Sequence, residues 1–293
     1  MPEIQDIAAQ LLTLTPQAGH FPTAIDGITL MRADTDQPPA PVLQEPTLVF
    51  MGQGLKRGYL GDKVFHYHAG QGLIVAVPMH FNCDTVVGED GPMLALAVRI
   101  DMNLISEIIS KMQTQSLQSH DNPGLGMIVA EMQAATQDTL YRLLRALASP
   151  EETRVLGVQL VRELHYRVLQ GTGGACLGAL AAWKGRLAPI FLACDKIHRD
   201  YGQELDVPGL ASEAAMSISA FYQAFKSVTG YSPIQYLKAT RLQRARELII
   251  IHGKGAAQAA YEVGYSSASQ FSREFKRFFG YSPAHADASL LHA

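Results

Sequence analysis

The chain has 293 residues, 47% of them hydrophobic, a net charge of −3 and three cysteines, which is more than one domain of ordinary size. No apolar run approaches the roughly 18 residues of a membrane-spanning helix. The opening residues Met1–Asp6 are acidic and lack the basic stretch of a secretory leader, so a cytoplasmic location and no membrane partner are expected. Cys83, Cys176 and Cys194 lie far apart, which argues against a disulfide framework and fits a reducing compartment.

In chain order, residues 3–14 predict a short amphipathic helix. Between 27 and 100 the pattern changes to short apolar runs broken by Gly and Pro, at 28–31, 47–51, 63–67, 73–77, 84–87 and 93–100. Such spacing predicts an antiparallel sheet or barrel. Helical periodicity returns at about 102–112, 125–148 and 151–170, the last with a broad apolar face through Val155, Val158, Leu160, Val161, Leu164 and Val168. That face is wide enough to suggest a homodimer contact, although burial against the barrel explains it equally well. The Gly171-Thr-Gly-Gly174 break opens a linker over about 171–187, and a further helix is expected at 187–201.

The C-terminal part carries a duplication. Residues 217–233 read SISAFYQAFKSVTGYSP and residues 267–283 read SASQFSREFKRFFGYSP. Phe221 and Phe225, like Phe271 and Phe275, are four apart and share one helix face. Ser217 and Ser267 offer hydroxyl caps. Gly230 and Gly280 stand where a helix stops, each with a proline three residues on. A short run of small residues precedes each copy, at 210–215 and 256–263. The unit reads as helix, turn, helix, twice, with an 18-residue helical stretch at 234–251 between. At 1.5 Å per residue that stretch spans about 27 Å, enough to hold two reading heads roughly one DNA turn, about 34 Å, apart. Charge is segregated accordingly: residues 1–195 hold 13 basic and 19 acidic residues, and residues 196–285 hold 11 and 7. A basic excess in the candidate DNA-binding half suits phosphate contact.

This region resembles the AraC/XylS family of bacterial transcription regulators from about residue 188 to 285. The resemblance rests on Ala239-Thr-Arg-Leu-Gln-Arg-Ala-Arg-Glu-Leu248, Val263-Gly-Tyr265, Gln270-Phe-Ser-Arg-Glu-Phe-Lys276 and Gly280-Tyr-Ser-Pro283. The first unit departs from the family pattern, with Ala215-Met216 where a glycine is usual and Gln223 where an arginine is frequent; the second unit keeps Arg273. More loosely, residues 20–175 resemble the effector domain of one branch of the family, through Pro46–Gly54, Leu60–Lys63 and Tyr67–Ile74. The resemblance implies an α+β protein: a cupin-like β-barrel at about 25–100 with helices at about 101–170, then an all-α domain at 188–293 with two helix-turn-helix motifs.

The expected partners are double-stranded promoter DNA, an unidentified small-molecule effector, a second copy of the chain and RNA polymerase. Base contacts are expected from Ser219, Tyr222, Gln223, Ser269, Gln270 and Arg273, since glutamine pairs with adenine and arginine with guanine. Phosphate contacts are expected from Lys226, Lys238, Arg241 and Lys276. Tyr67, His68, His80 and Cys83 are candidates for an effector pocket, with strand register left open because one residue of slip reverses every side chain. His66-Tyr-His68 together with His80 admits a rival reading, a cupin-type metal-dependent enzyme fused to a DNA-binding domain. The carboxylate such a site needs is missing from Ala69-Gly-Gln-Gly72. No phosphate loop, nucleophile elbow or dinucleotide fingerprint is present, so no cofactor, metal or catalytic residue is expected.

Overall fold

The apolar runs between residues 27 and 100 build strands, and a computed structural model describes residues 2–61, 63–112, 126–171, 174, 177 and 188–286. The strands are β1 (Gly19–Pro22), β2 (Ile28–Ala33), β3 (Gln37–Gln44), β4 (Thr47–Gln53), β5 (Leu55–Leu60), β6 (Lys63–His68), β7 (Gln71–Val75), β8 (Met79–Val86), β9 (Met93–Arg99) and β10 (Met127–Glu131). They form a six-stranded sheet in the order β1-β2-β9-β4-β7-β10 and a four-stranded sheet in the order β3-β8-β5-β6, with antiparallel pairing throughout. Among the described residues the ladders do not run round from one sheet to the other, so the cupin-like unit is an open two-sheet arrangement rather than a closed barrel. Residues 47–52 of β4 are all buried, as expected of a central strand covered on both faces, which reads as a continuous apolar run.

Two departures from the sequence reading have plain causes. Pro38, Pro39 and Pro41 speak against a strand, yet β3 forms at the edge of its sheet, where a missing N–H costs no ladder bond. Its register slips between Gln37 and Ala40, where two of the prolines stand. Residues 127–131 extend a helical pattern but instead pair with β7, Ile128 opposite Ile74. A four-residue apolar run is ambiguous by periodicity alone, and the β7 edge takes it.

Helices α1 (Ile4–Leu14), α2 (Met102–Lys111), α3 (Ala134–Leu147) and α4 (Pro150–Gln170) cover the larger sheet and each other. Asp101 and Ser149 cap α2 and α4 through their side chains. The linker expected at 171–187 lies, except for residues 171, 174 and 177, outside the described residues. The C-terminal part follows with α5 (Ala188–Asp200), α6 (Val207–Glu213), α7 (Ile218–Thr229), α8 (Pro233–Ile250), α9 (Ala256–Glu262) and α10 (Ala268–Phe279).

The duplicated caps act as read. Ser217 and Ser267 accept from Ala220 and Gln270 backbone N–H, and Gly230 and Gly280 end α7 and α10 at φ 76° and 85°. In the turn of the second unit Gly264 has φ 89°, and Ala215 takes the same role in the first at φ 52°. The next N–H bonds back in each case, Met216 to Ala211 O and Tyr265 to Ala260 O. The two glycines after the reading helices differ in surroundings. A Cβ at Gly230 would lie 2.8 Å from Leu60 Cδ1, whereas one at Gly280 meets nothing within 4 Å. Gly280→Ala is therefore expected to cost about 1 kcal/mol, the left-handed penalty alone, and Gly230→Ala about 2–3 kcal/mol. Urea denaturation of both variants checks this; equal costs would remove Leu60 from the account.

Leu60 belongs to the β half, so the close approach at Gly230 is a contact between halves. A single core cluster runs from the sheets through α5, α6 and α7 to Tyr236 and Leu237 of α8. A separate cluster joins Leu242 and Ala245 of α8 to α9 and α10. The two ends of α8 thus sit in two different cores.

A candidate nucleic-acid interface and its junction with the β half

Burial of the phenylalanine pairs decides what α7 and α10 show to solvent. Phe221, Phe225, Phe271 and Phe275 are all fully buried. Ser219, Tyr222, Gln223 and Lys226 on α7, and Ser269, Gln270, Arg273 and Lys276 on α10, are exposed. Among the described residues Lys226, Arg273 and Lys276 form no ion pair. Lys238 and Arg241 are engaged elsewhere. Lys238 Nζ lies 2.7 Å from Glu274 Oε1, which ties α8 to α10. Arg241 is partly buried and donates through Nε to Tyr201 O and through a terminal nitrogen to Gln203 O, both at 2.8 Å. Arg246, which sequence reasoning did not single out, is buried with its guanidinium 4.9 Å from the centre of the Phe279 ring. It is a packing residue of the second unit, and nothing local in the sequence separates it from the half-buried Arg241 and Arg244.

The four candidate pocket residues do not converge. Tyr67 is buried, its hydroxyl 3.8 Å from Cys83 Sγ, and burial with Cys83 alongside raises its phenol. His68 is exposed and bonds through Nδ1 to Ala69 O. His80, three residues before Cys83 and of opposite parity, points away from it into the helical half. His66 is exposed as well, and among the described residues no group of three His, Cys, Asp or Glu could hold a metal ion. A cavity of about 340 Å³ instead opens beside β2, β4 and β9, with Thr29, Met31, Val49 and Ala97 along it and Gln44 and Glu45 at one side.

Where the halves meet, polar contacts join the shared apolar core. The Tyr236 hydroxyl donates to Pro78 O at 2.9 Å, and Gln243 Nε2 donates to Pro41 O at 2.9 Å. Gly126 N–H donates to Val228 O at the end of α7. Thr240 Oγ1 donates to Tyr236 O, so His80 Nε2, 3.0 Å from Thr240 Oγ1, carries the hydrogen of that bond. His80 Nδ1 is buried and has no hydrogen-bond partner among the described residues. Burial, helped by the charges of His198 and Arg244, pushes the His80 pKa down to about 3.

A neutral histidine in the fold with an ordinary one in the unfolded chain gives a definite sign. The contribution is fully present above pH 6.5 and is lost as pH falls toward 3. Between pH 7 and pH 5 the stability of the wild type should drop by about 2 kcal/mol more than that of His80→Gln. Parallel denaturant titrations at the two pH values measure the difference, and identical pH dependence would reject the assignment.

Comparison with known proteins follows the same division. The AraC-type transcriptional regulator N-terminus matches residues 24–176, and a helix-turn-helix domain matches residues 210–288. The chain is 39% identical over 87 residues to the probable transcriptional regulator LumQ of Photobacterium leiognathi, covering 30% of this chain and 35% of that protein. It is 29% identical over 163 residues to a putative AraC-like transcription regulator of Streptomyces lividans, covering 56% and 52%. The chain thus spans about a third to a half of the length of these relatives. Unsaturated fatty acid-bound ToxT from Vibrio cholerae shares the fold, with a TM-score of 0.64 at 11% identity over 90% of this chain and 94% of that one. Among the described residues no helix is long and apolar enough to cross a membrane.

Proposed function

This chain belongs to the AraC-type transcriptional regulators, and from that premise we propose that it is a sequence-specific DNA-binding transcription regulator responding to a small-molecule effector. Residues 188–293 are the DNA-binding domain and residues 1–175 the effector and dimerisation domain. The observation that carries this reading is the duplicated helix whose phenylalanine face is buried and whose opposite face, twice over, presents exposed polar side chains and basic ones that form no ion pair among the described residues. Ser219, Tyr222, Gln223, Ser269, Gln270 and Arg273 face base edges, and Lys226 and Lys276 take phosphates. Lys238 and Arg241 would reach phosphate only by leaving Glu274 and two backbone carbonyls, so their first role is to hold α8 in place.

The effector site is the cavity beside β2, β4 and β9. Its Met31, Val49 and Ala97 suit an apolar body, and Gln44 and Glu45 a polar group. The fatty acid of ToxT is one precedent for such a ligand in this fold. Two copies pair through α4, where Val155 and Val158 are 62% and 68% exposed beyond what packing within the chain requires. Contact with RNA polymerase and action as a cytoplasmic activator complete the reading, with no cofactor and no catalytic step.

Selection of bound sequences from random duplex DNA by the full chain tests this. Specific sites should be favoured at least about 1,000-fold over non-specific DNA at physiological salt; binding that is indifferent to sequence would leave only a nucleoid-type binder. Lys276→Ala should weaken all sequences alike and lower the salt slope by about 1. Sedimentation of the free protein at tens of micromolar should show a dimer that Val158→Lys dissociates.

A further inference from the structure

The cavity and the DNA-binding half share one side chain. Glu45, in the turn between β3 and β4, lines the cavity beside Gln44 and Thr47. Its Oε1 is also 3.5 Å from His198 Nδ1 and 4.0 Å from a terminal nitrogen of Arg244. On the far side of the imidazole, His198 Nε2 lies 2.8 Å from the Tyr236 hydroxyl. That hydroxyl gives its own hydrogen to Pro78 O, so it accepts from Nε2. The His198 imidazole thus stands between Glu45 and Tyr236. Of the influences on Glu45, the bond from His198 is the largest, and it holds the carboxyl below its usual range against the opposing effect of burial, with Arg244 adding.

What these contacts hold is the first reading unit. Tyr236 lies at the start of α8 and meets Phe225 of α7 edge to face, 5.3 Å between ring centres. Phe221 and Phe225 belong to the core shared with the β half. Phe271 and Phe275 of the second unit belong to the separate cluster, although α10 does run beside β3. Among the described residues, the hydrogen bonds and ion pairs between halves come from α5, the end of α7 and α8.

We propose that Glu45 is the positioning residue that couples the cavity to the first reading helix. The proposal rests on the regulator reading above. An occupant of the cavity that gives Glu45 a hydrogen-bond donor of its own competes with His198 for the carboxylate. His198 then loses one of its two anchors, and Tyr236, which His198 braces, carries the change to Phe225 and α7. The second unit, with its own core on the other end of α8, keeps its pose. The effector therefore alters the angle between two reading heads rather than switching both off, because among the described residues the hydrogen bonds and ion pairs to the β half come from α5, α7 and α8, while α10 meets it only through packing beside β3.

The test uses the full-length chain and the DNA sequences it selects. The parts of the selected site read by α7 and by α10 are scrambled in turn. Failure of the wild type to select any sequence would overturn the regulator reading and this proposal with it. Given selection, Glu45→Gln keeps the side-chain shape but removes the charge that holds His198, and so stands in for an engaged carboxylate. It should change affinity about 1.5-fold to fivefold on DNA that retains the α7 part, the range of a partly exposed ion pair, and leave unchanged the affinity for DNA with that part scrambled. His198→Gln should reproduce the pattern, and the double variant should add nothing to either single one. Equal shifts on both duplexes, effects that multiply, or no shift at all would each overturn the coupling. Should Glu45→Gln fail to fold, Glu45→Asp keeps the charge but draws it back from His198, and the same split between duplexes is expected.

Discussion

Replacing Tyr236 with alanine should lower the unfolding free energy by about 4–6 kcal/mol, the largest effect of any single substitution in the helical half. The side chain is fully buried. It meets His80, His198 and Phe225 with ring centres 4.9, 5.6 and 5.3 Å away. Deleting such an aromatic costs about 3–5 kcal/mol through lost contacts and the cavity left behind. The hydroxyl adds a second loss, because Pro78 O loses its donor and His198 Nε2 its acceptor, and an unsatisfied buried polar group costs about 1–3 kcal/mol. Tyr236→Phe separates the two contributions by keeping the ring and removing the oxygen, and should cost about 1–2 kcal/mol. Denaturant unfolding followed by circular dichroism reads both variants. A phenylalanine variant as damaged as the alanine one would mean that the hydrogen bonds, rather than packing, hold the halves together. Domains usually have about 5–15 kcal/mol to lose, so the alanine variant should stand close to the threshold of folding.

Arg273→Ala should leave folding untouched and still remove about 1–3 kcal/mol of specific DNA affinity, roughly five- to 150-fold. The stability half of the expectation follows from exposure and from the absence of an ion pair at Arg273 among the described residues, since surface substitutions of that kind stay within about 0.5 kcal/mol. The affinity half follows from its place on α10, on the face opposite Phe271 and Phe275. A guanidinium can take two acceptors of one guanine at once, and a lysine cannot hold that fork. Arg273→Lys should therefore keep non-specific binding and lose discrimination at one base pair. Binding assays on the selected site and on single-base variants of it distinguish the outcomes. If Arg273→Ala weakens every sequence alike, the residue contacts phosphate and base reading rests on its neighbours.

The sequence by itself determined the features that depend on neighbours along the chain. Ser217 and Ser267 cap, Gly230 and Gly280 stop, and Phe221, Phe225, Phe271 and Phe275 turn inward because caps, stops and helical faces are settled within a turn or two of backbone. With them came the exposed faces of α7 and α10, and so most of the candidate DNA interface. Only tertiary structure decided what depends on partners distant in sequence. Residues 127–131 are a strand because β7 has an open edge for them, and the proline-bearing β3 survives because it lies at the rim of its sheet. His80 and Cys83 part company because sheet pairing, absent from any local pattern, fixes which side of β8 faces the helical half. Arg241 and Lys238 look like free cations in the chain and are engaged once Gln203 and Glu274 arrive beside them. Glu45 carries no signal at all: a carboxylate in a turn between strands acquires its place beside both cavity and reading head only when residues 153 and 199 positions further along fold back to meet it.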